Sequence, residues 1–473
     1  MRDFLAPSFQ ACASRALRLA ALALITAVVS ACSSLPRVVP DMARSASPPQ
    51  IEGSAGPLSA AKSEAILERL RASGKDADVL ERHLAFEAAV SDSPLVAGNR
   101  VQLLHDGPAT YDAMFAAIRA ARDHINMETY ILEDDEIGQR FASALIAKQR
   151  AGVQVNLIVD GVGTLATPSA FFDRLKEAGI PVVAFNPVNP LEAKAGWDVN
   201  QRDHRKLLVV DGRIAFLGGI NISSVYSGGS RLARSKPDPS AADRLPWRDT
   251  DLSVEGPVVA EFQKLFIETW TKQKGPPLAR RDYYPPLKRA GDEVVHALGA
   301  SPDDAYSAIY ATLISAIDSA QTEVWLTNAY FVPDPQLIDA LRRAVARRVD
   351  VRVVLPSATD SALVLNAARS HYAELLDAGV RLYERQDALL HAKTAVIDGV
   401  WATVGSTNLD WRSFLHNQEL NAVVLGSGFG TRMRAAFGTD VAASREITRE
   451  AWARRNPLQR AKEAFARLWQ YWL

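Results

Sequence analysis

Two stretches of this sequence place histidine, lysine, aspartate, glycine and asparagine at identical intervals. The first begins at His204 and reads HRKLLVVDGRIAFLGGIN, and the second begins at His391 and reads HAKTAVIDGVWATVGSTN. In both, His-x-Lys is followed after four residues by Asp, and after six more by Gly-Gly or Gly-Ser, one residue and Asn. Because a chance match rarely preserves every interval, the repeat predicts a duplicated unit that contributes half a site per copy.

The residue types of the repeat are those that handle an anionic phosphate. Alternate residues of a strand face the same side, so the His and Lys of each copy point one way. Lysine supplies charge and donors, histidine supplies a nucleophile or an acid, and asparagine adds an amide donor for an anionic oxygen. Two halves facing each other would surround one phosphate, which suits phosphoryl transfer. The predicted set is His204, Lys206 and Asn221 from the first copy and His391, Lys393 and Asn408 from the second.

A duplicated imidazole predicts covalent catalysis in two steps. One neutral histidine attacks phosphorus and forms a phosphohistidine, while the other, protonated, donates to the leaving alcohol and then deprotonates the incoming one. Which histidine attacks stays open at this point. We expect no metal and no cofactor, because the lysines supply the positive charge and the sequence has no carboxylate cluster with good metal-ligand spacing.

The aspartates of the repeat allow two interpretations. Asp211 and Asp398 belong to the motif and therefore stand in the candidate catalytic set. Each also precedes a glycine at a hairpin position, where Asp is a good turn residue. We therefore expect them to orient the turn, and to pair with the lysine, rather than to take part in the chemistry.

Apolar runs alternate with amphipathic helical segments in both halves of the chain. VQVNLIVD and IPVVAFN in the first half, and VDVRVVLP and VRLYER in the second, predict buried strands. The pattern predicts an α/β fold with two homologous halves, each a mixed β-sheet flanked by helices, that share one active site about a pseudo-twofold axis. The polar segment 224–246, which contains Gly and Pro, is predicted to be an insertion loop.

The N-terminus has the features of an export signal. Arg2, Arg15 and Arg18 accompany an apolar run that is too short to span a bilayer comfortably and that ends in small residues. Cys32 directly follows, which resembles the bacterial lipoprotein box, where the signal is cut before the cysteine and the cysteine is acylated. Ser33 resembles the outer-membrane sorting class, so we expect an anchored, periplasm-facing envelope protein, in the outer rather than the inner membrane. A plain secretory signal or a short uncleaved anchor is the alternative.

The predicted organisation divides the chain into six parts. They are a signal peptide (1–31), a flexible tether (32–60), a helical lead-in (61–95), a first domain (96–290), a second domain (291–445) and a C-terminal basic and aromatic helix (446–473). That last helix could lie on a membrane surface or pack its Trp and Leu residues onto the core. The formal net charge of +0 gives no general cationic field, so no nucleic-acid partner is expected.

The motifs resemble the phospholipase D superfamily, whose signature is His-x-Lys-x4-Asp followed by Gly-Gly/Ser-x-Asn. The resemblance covers about residue 95 to 440. Around the motifs it is closer, and there WRDTDLSVEGP and HNQELNAVV look like bacterial cardiolipin synthases and their close relatives. In that family an acidic residue beyond each motif bonds the other ring nitrogen of a catalytic histidine. The matching positions are Glu419 and Asp249, and Asp251 is a rival for the second role.

The resemblance also implies a substrate. A phosphatidyl group would pass from phosphatidylglycerol or phosphatidylethanolamine to the hydroxyl of phosphatidylglycerol, giving cardiolipin and a free glycerol or ethanolamine. Many cardiolipin synthases carry N-terminal transmembrane spans where this chain has a lipoprotein box, so the physiological lipid stays open. The alternatives are a phospholipase D hydrolase, a phosphodiesterase acting on nucleic acid, and a non-enzymatic protein that binds phosphate headgroups at the membrane. The sequence gives no oligomeric state.

Overall fold

The computed structural model describes residues 35, 50–73, 83–91, 93–189, 197–227 and 245–473. By its internal contacts the chain divides into two units after Pro36, and every element named below belongs to the second unit. The predicted signal peptide and Cys32 lie outside the described residues. Among the described helices, none is long and apolar enough to cross a membrane.

The first half of the chain alternates strands with helices, as its apolar pattern predicts. Its strands are β1 (Ile51–Gly53), β2 (Gly56–Pro57), β3 (Leu95–His105), β4 (His124–Thr129), β5 (Gln154–Asp160), β6 (Val182–Phe185), β7 (Arg202–Asp203), β8 (Lys206–Val210), β9 (Ile214–Gly218), β10 (Trp247–Arg248) and β11 (Thr250–Glu255). Its helices are α1 (Ala60–Ser73), α2 (Leu84–Val90), α3 (Asp106–Ala120), α4 (Glu136–Arg150), α5 (Ser169–Glu177) and α6 (Val259–Lys272), with a 3-10 turn at Ser224–Ser227.

The second half repeats this order of elements. Its strands are β12 (Glu293–Ala300), β13 (Glu323–Asn328), β14 (Asp350–Pro356), β15 (Arg381–Arg385), β16 (Leu389–Leu390), β17 (Lys393–Ile397), β18 (Trp401–Gly405), β19 (Asn417–Leu425) and β20 (Ser444–Ile447). Its helices are α7 (Ala308–Ser319), α8 (Pro335–Ala346), α9 (Ala362–Ser370), α10 (Tyr372–Asp377), α11 (Trp411–Leu415), α12 (Ser427–Ala442), α13 (Arg449–Ala453) and α14 (Pro457–Arg467), with a 3-10 turn at Gln470–Trp472.

The two halves have the same sheet topology. The strand order is β6-β5-β4-β8-β9-β11-β3 in the first half and β15-β14-β13-β17-β18-β19-β12 in the second. In each order the first three strands are parallel and the remaining neighbours are antiparallel. Strands β3 and β12 pair antiparallel and join the halves into one continuous sheet. The prediction of two homologous α/β halves is therefore confirmed.

One hydrophobic core is shared by both halves. Strand residues of the first half pack against strand residues of the second half, and all are almost inaccessible to solvent. Burial of apolar surface of this kind is the main favourable term in folding. Among these strand residues are Leu207, Val209 and Val254 of the first half and Val404, Ala422 and Val424 of the second. Because the two halves pack through this core, the strand ends that carry the two motifs are held against each other.

The structure differs from the sequence prediction at both ends of the described region. Residues 51–57, inside the predicted flexible tether, form β1 and β2, and β1 pairs in parallel with β3 through Ile51 and Leu95. The predicted single C-terminal helix is two short helices and a 3-10 turn. Asn456 caps α14, and Pro457 at its first position starts a new helix where it cannot continue the previous one.

Asp211 and Asp398 occupy equivalent turn positions, with φ of 52° and 50°. The carboxylate of Asp211 accepts hydrogen bonds from the backbone N–H groups of residues 122, 123 and 124, at the start of β4. The carboxylate of Asp398 does the same for residues 321, 322 and 323, at the start of β13. The expected turn role agrees with this geometry. The expected pairing of each aspartate with the motif lysine does not agree with it, because the carboxylate oxygens already accept hydrogen bonds from these backbone N–H groups.

We expect Asp398→Asn to lower the free energy of unfolding by about 1–3 kcal/mol, because the new amide nitrogen cannot accept bonds from buried N–H groups. Urea-induced unfolding measures the change. Asp173→Asn is the matched control, since the Asp173 side chain on α5 is 56% exposed, and it should leave stability almost unchanged. Equal stability of the two variants would contradict the structural role.

Candidate active site

Each motif histidine is fixed through its backbone by a strand of the other half. His204 lies between β7 and β8, and its N–H donates to the carbonyl oxygen of Gln418 on β19 at 3.0 Å. His391 lies between β16 and β17, and its N–H donates to the carbonyl oxygen of Arg248 on β10 at 2.7 Å. The short strands before the histidines make the same exchange, because β7 pairs with β19 and β16 pairs with β10, both in parallel.

The imidazoles are held by carboxylates that also come from the opposite halves. His204 Nδ1 lies 3.1 Å from both carboxylate oxygens of Glu419, at the start of β19. His391 Nδ1 lies 2.7 Å from Oδ2 of Asp249, between β10 and β11. Both carboxylates are fully buried, and the histidine residues are only 9% and 6% exposed. The two motifs therefore meet in one enclosed site, in which each half supplies a histidine and orients the other.

The ladder register distinguishes Asp249 from its rival Asp251. Asp251 lies opposite Gly218, and its Oδ1 accepts from the N–H two residues beyond that glycine at 3.1 Å. In the second half Asn421 lies opposite Gly405, and its Oδ1 accepts from the equivalent N–H at 3.4 Å. Asp251 is thus the counterpart of Asn421 and holds the motif backbone. The structure places Asp249, not Asp251, on the histidine.

The difference between Gly-Gly and Gly-Ser in the motifs follows from these carboxylates. A Cβ added to Gly219 would lie 2.3 Å from Oδ1 of Asp249, so only glycine leaves room for that side chain. The equivalent residue in the second half is Ser406, whose hydroxyl donates to Glu419. Gly219 of the first motif leaves space for Asp249, whereas Ser406 of the second motif adds a hydrogen bond to Glu419.

The motif lysines are almost completely buried beside the histidines. Lys206 Nζ donates to the carbonyl oxygen of His204, and Lys393 Nζ donates to that of His391. Burial lowers the pKa of Lys206 to about 7 and that of Lys393 to about 8. Because an anion nearby favours the charged form, a bound phosphate would restore both positive charges.

The two imidazoles are electrostatically unequal. Burial lowers the pKa of His204 well below its usual range, and the charges of Lys206, Lys393 and His391 lower it further. Burial and Lys393 also lower the pKa of His391, but there the carboxylate of Asp249 opposes the shift through its charge and its hydrogen bond. Burial raises the pKa of Glu419, the partner of His204, to about 7. His204 is thereby held neutral, whereas His391 keeps a proton more readily.

The two predicted amides have different surroundings. Asn221 Nδ2 donates to the hydroxyl of Tyr226 at 3.1 Å, and its Oδ1 accepts from the N–H of Ile131 at 3.1 Å. Asn408 is 4% exposed, and its Oδ1 has no hydrogen-bond partner among the described residues. Asn221 therefore positions Tyr226, while Asn408 keeps an unpartnered acceptor oxygen rather than the free donor expected for an anionic oxygen.

Aromatic residues around the histidines were not predicted from the sequence. Tyr226, in the predicted insertion loop, has its hydroxyl 3.3 Å from His391 Nδ1. Tyr130 lies with its ring centroid 5.1 Å from that of His204, and Tyr330 lies 6.5 Å from that of His391. Each of these tyrosines follows the buried strand whose last residue lies opposite a motif lysine in the sheet. An aromatic residue at the same point of both halves is the sequence signal that could have predicted them.

Not all motif residues belong to the enclosed site. Asp211 and Asp398 stand seven residues beyond their histidines, a separation of roughly 20 Å along extended chain, and they bind the amides described above. Within the described ranges, no group of three or more His, Cys, Asp or Glu side chains is arranged to hold a metal ion. The residues brought together are the two histidines, the two lysines and the two carboxylates.

The site and the fold have counterparts in known proteins. Residues 114–226 and 313–441 match the family described as cardiolipin synthase, PLD-like domain. The chain is 37% identical over 382 residues to cardiolipin synthase A of Pseudomonas fluorescens, covering 79% of this chain and 75% of that one. It is 33% identical over 392 residues to the cardiolipin synthase of Halalkalibacterium halodurans, covering 82% and 75%.

A solved structure shares the fold. The phosphatidylserine synthase of Haemophilus influenzae superposes with a TM-score of 0.58 at 14% sequence identity, covering 83% of this chain and 100% of that one. At that identity the likeness concerns the fold alone. The sequence match extends over both motifs and the strands between them, so the chain belongs to the cardiolipin synthase family with phospholipase D-like domains.

Proposed function

We propose that this protein is a phosphatidyltransferase that forms cardiolipin by moving a phosphatidyl group onto phosphatidylglycerol through a phosphohistidine. One observation carries the proposal: each motif imidazole is held at Nδ1 by a carboxylate from the opposite half, which puts two oriented histidines and two lysines in one site. The relatives named cardiolipin synthase support the choice of lipid and product.

The carboxylates define which ring nitrogen reacts. A carboxylate on Nδ1 fixes the tautomer with the proton on that nitrogen and raises the basicity of the ring. The nitrogen assigned to the substrate is therefore Nε2 in both residues. We assign the nucleophile to His204, which burial and the lysines keep neutral, and the acid and base to His391, whose Asp249 favours its protonated form.

The first step exchanges a phosphorus–oxygen bond for a phosphorus–nitrogen bond. The lone pair of His204 Nε2 attacks the phosphorus of the donor phosphatidylglycerol, and the bond from phosphorus to the headgroup oxygen breaks. The proton on His391 passes to that oxygen, so glycerol leaves as a neutral alcohol. Lys206 and Lys393 place positive charge beside the phosphoryl oxygens, where charge develops in the transition state.

The second step reverses the roles. A hydroxyl of a second phosphatidylglycerol gives its proton to the now neutral His391 and attacks the phosphorus. The bond from His204 Nε2 to phosphorus breaks, and the electron pair returns to the imidazole. The products are cardiolipin and the starting enzyme. With water in place of the second lipid, the same step would give phosphatidic acid, which is the hydrolase alternative.

We further infer that Cys32 is acylated and anchors the protein in the bacterial envelope, facing the periplasm and in the outer membrane. The support is the basic and apolar N-terminal run that ends in small residues at Cys32, and the serine that follows it. Acyl chains contribute roughly 0.8 kcal/mol of membrane affinity per buried methylene. Such an anchor would keep the site at the surface where its lipid substrate is concentrated.

Purified protein incubated with phosphatidylglycerol labelled in its headgroup glycerol should release labelled glycerol and accumulate cardiolipin. Thin-layer chromatography and mass spectrometry of the extracted lipid measure both products. His204→Asn should produce neither, which controls for a contaminating enzyme. Phosphatidic acid as the main lipid product would support the hydrolase instead, and degradation of added DNA without lipid turnover would reject both.

The two histidine variants should differ when the leaving group needs no proton. With a p-nitrophenyl phosphatidyl ester, His391→Asn should release one equivalent of nitrophenol and hold an alkali-stable, acid-labile phosphoryl adduct on His204. His204→Asn should form no adduct, and with the natural lipid His391→Asn should lose about 10²–10⁴ in rate because it lacks the acid and base. An adduct on His391 in the His204→Asn protein would show that the roles are the reverse of those assigned.

Acylation is tested by metabolic labelling with a radioactive fatty acid. The wild-type chain should incorporate label, and Cys32→Ser should incorporate none, because the attachment sulfur is gone. Cys12→Ser is the matched control, since it removes the other cysteine of the chain and should label normally. Equal labelling of the wild type and Cys32→Ser would exclude the anchor.

A further inference from the structure

The C-terminal 17 residues, 457–473, expose a cluster of large apolar and aromatic side chains. We call this cluster the C-terminal patch, and it consists of Leu458 (64% exposed), Phe465 (59%), Leu468 (74%), Trp469 (47%), Tyr471 (43%) and Trp472 (51%). Exposed large apolar residues elsewhere in the described chain are scattered, and they are Leu165, Val188, Val199, Tyr284 and Tyr306. A contiguous apolar surface of this kind on a folded chain marks an interaction site.

The patch lies on a helix whose amphipathic pattern is inverted. The face of α14 that packs against α9 carries small or polar residues, namely Ala466 and Glu463, which are 1% and 2% exposed. Glu463 is neutralised there by Arg455 at 2.9 Å, and Gln459 donates to Asn366 of α9 at 2.8 Å. A helix that packs on a core normally buries its large apolar residues. Here they face outward, so folding of the chain alone does not account for them.

The surroundings of the patch are cationic. Residues 449–473 contain basic side chains at six positions and acidic ones at two, and one of the acids is the buried Glu463. The basic residues are Arg449, Arg454, Arg455, Arg460, Lys462 and Arg467. Arg449, Arg455 and Arg467 form ion pairs with Asp377, Glu463 and Glu374. The positive charge beside the patch therefore comes from Arg454, Arg460 and Lys462, which have no acidic partner among the described residues. Apolar side chains with Trp and Tyr, flanked by exposed Arg and Lys, match the boundary between acyl chains and anionic headgroups.

The patch is also connected to the active site. The ring of Tyr471 contacts that of Trp411 with centroids 4.7 Å apart, and the carbonyl oxygen of Leu473 accepts from the N–H of Arg412 at 3.0 Å, both on α11 directly after the second motif. Leu473 and Tyr330 pack against the same small apolar cluster, which includes Ala466. Since the ring of Tyr330 also lies 6.5 Å from that of His391, this cluster borders both the patch and the site.

We propose that the C-terminal patch docks on the surface of an anionic bilayer, with its aromatic residues among the headgroups and its basic residues on the lipid phosphates. Docking there would place the enclosed site beside the membrane surface from which a phosphatidyl headgroup must enter. That orienting role rests on the proposed function, whereas the docking itself does not depend on any turnover. A second copy of this chain is the competing occupant of the patch.

The experiment places a fluorescent label on the patch in the full chain. In a background with Cys12→Ser and Cys32→Ser, Leu468→Cys carries an environment-sensitive fluorophore, and Ser143→Cys, on the exposed surface of α4, carries it in the control. Vesicles of phosphatidylcholine with phosphatidylserine, containing brominated acyl chains, are titrated in. We expect a blue shift and quenching at position 468 and neither at position 143.

A second pair of variants tests the choice of an anionic surface. Arg460→Gln with Lys462→Gln should bind these vesicles roughly 30-fold more weakly, because each basic residue near an anionic surface contributes about fivefold in affinity. On vesicles of phosphatidylcholine alone the double variant should match its parent. Unchanged affinity for the anionic vesicles would overturn the electrostatic part of the proposal.

The label also separates the competing outcomes. No quenching at position 468, or equal quenching at both positions, would overturn membrane docking. A blue shift at position 468 without vesicles that grows with protein concentration would assign the patch to a second copy and overturn the proposal. Since phosphatidylserine replaces phosphatidylglycerol and no turnover is measured, quenching with no cardiolipin formed would leave docking standing and reject only the proposed activity.

Discussion

The exchange of carboxylates between the two halves is the constraint on which the rest of the structure depends. Glu419 of the second half orients His204, and Asp249 of the first half orients His391. Neither half alone therefore contains both a motif histidine and the carboxylate that orients it. The backbone repeats the exchange, because each histidine N–H donates to the strand that brings the carboxylate. Arg205 of the first half stabilises this exchange, since it donates to the carbonyl oxygens of Glu419 and Ala300 of the second half at 3.1 and 3.2 Å. The site is therefore complete only when the two halves pack against each other.

Burial of this crossing sets the electrostatics of the site. Two histidines and two lysines share a space from which most water is excluded, so each opposes charge on the others and their pKa values fall. In the free protein that cost is offset by the buried carboxylates rather than by solvent. The negative charge of an incoming phosphate diester would stabilise the protonated form of both lysines. Because the buried lysines lose charge without a nearby anion, the site binds anions in preference to neutral groups.

The sequence predicted the parts of the site that lie within one repeat. Identical intervals predicted the histidines and the lysines, and alternating apolar runs predicted two homologous α/β halves. The resemblance named Glu419 and Asp249, but the sequence did not predict which histidine each carboxylate would reach. A strand pattern indicates which face is buried, not which strand lies opposite. For the same reason Tyr226 was missed, since it reaches His391 from a polar segment without periodicity. One C-terminal helix was predicted where two short helices and a 3-10 turn form. The outward orientation of the apolar residues depends on Glu463 and Ala466 packing inward, which helical spacing alone did not reveal.

The pseudo-twofold relation is broken at the positions where the chemistry needs two different imidazoles. Asp249 is shorter than Glu419, and Gly219 gives it room, whereas Ser406 donates to the longer Glu419 and spreads its charge. Asn221 donates to Tyr226, while the oxygen of Asn408 has no hydrogen-bond partner among the described residues. A strictly symmetric pair of histidines would have equal pKa values and no preferred nucleophile. A two-step transfer requires one ring to accept phosphorus and the other to carry the proton, so substitutions around a duplicated motif are how a repeated half becomes a directional site.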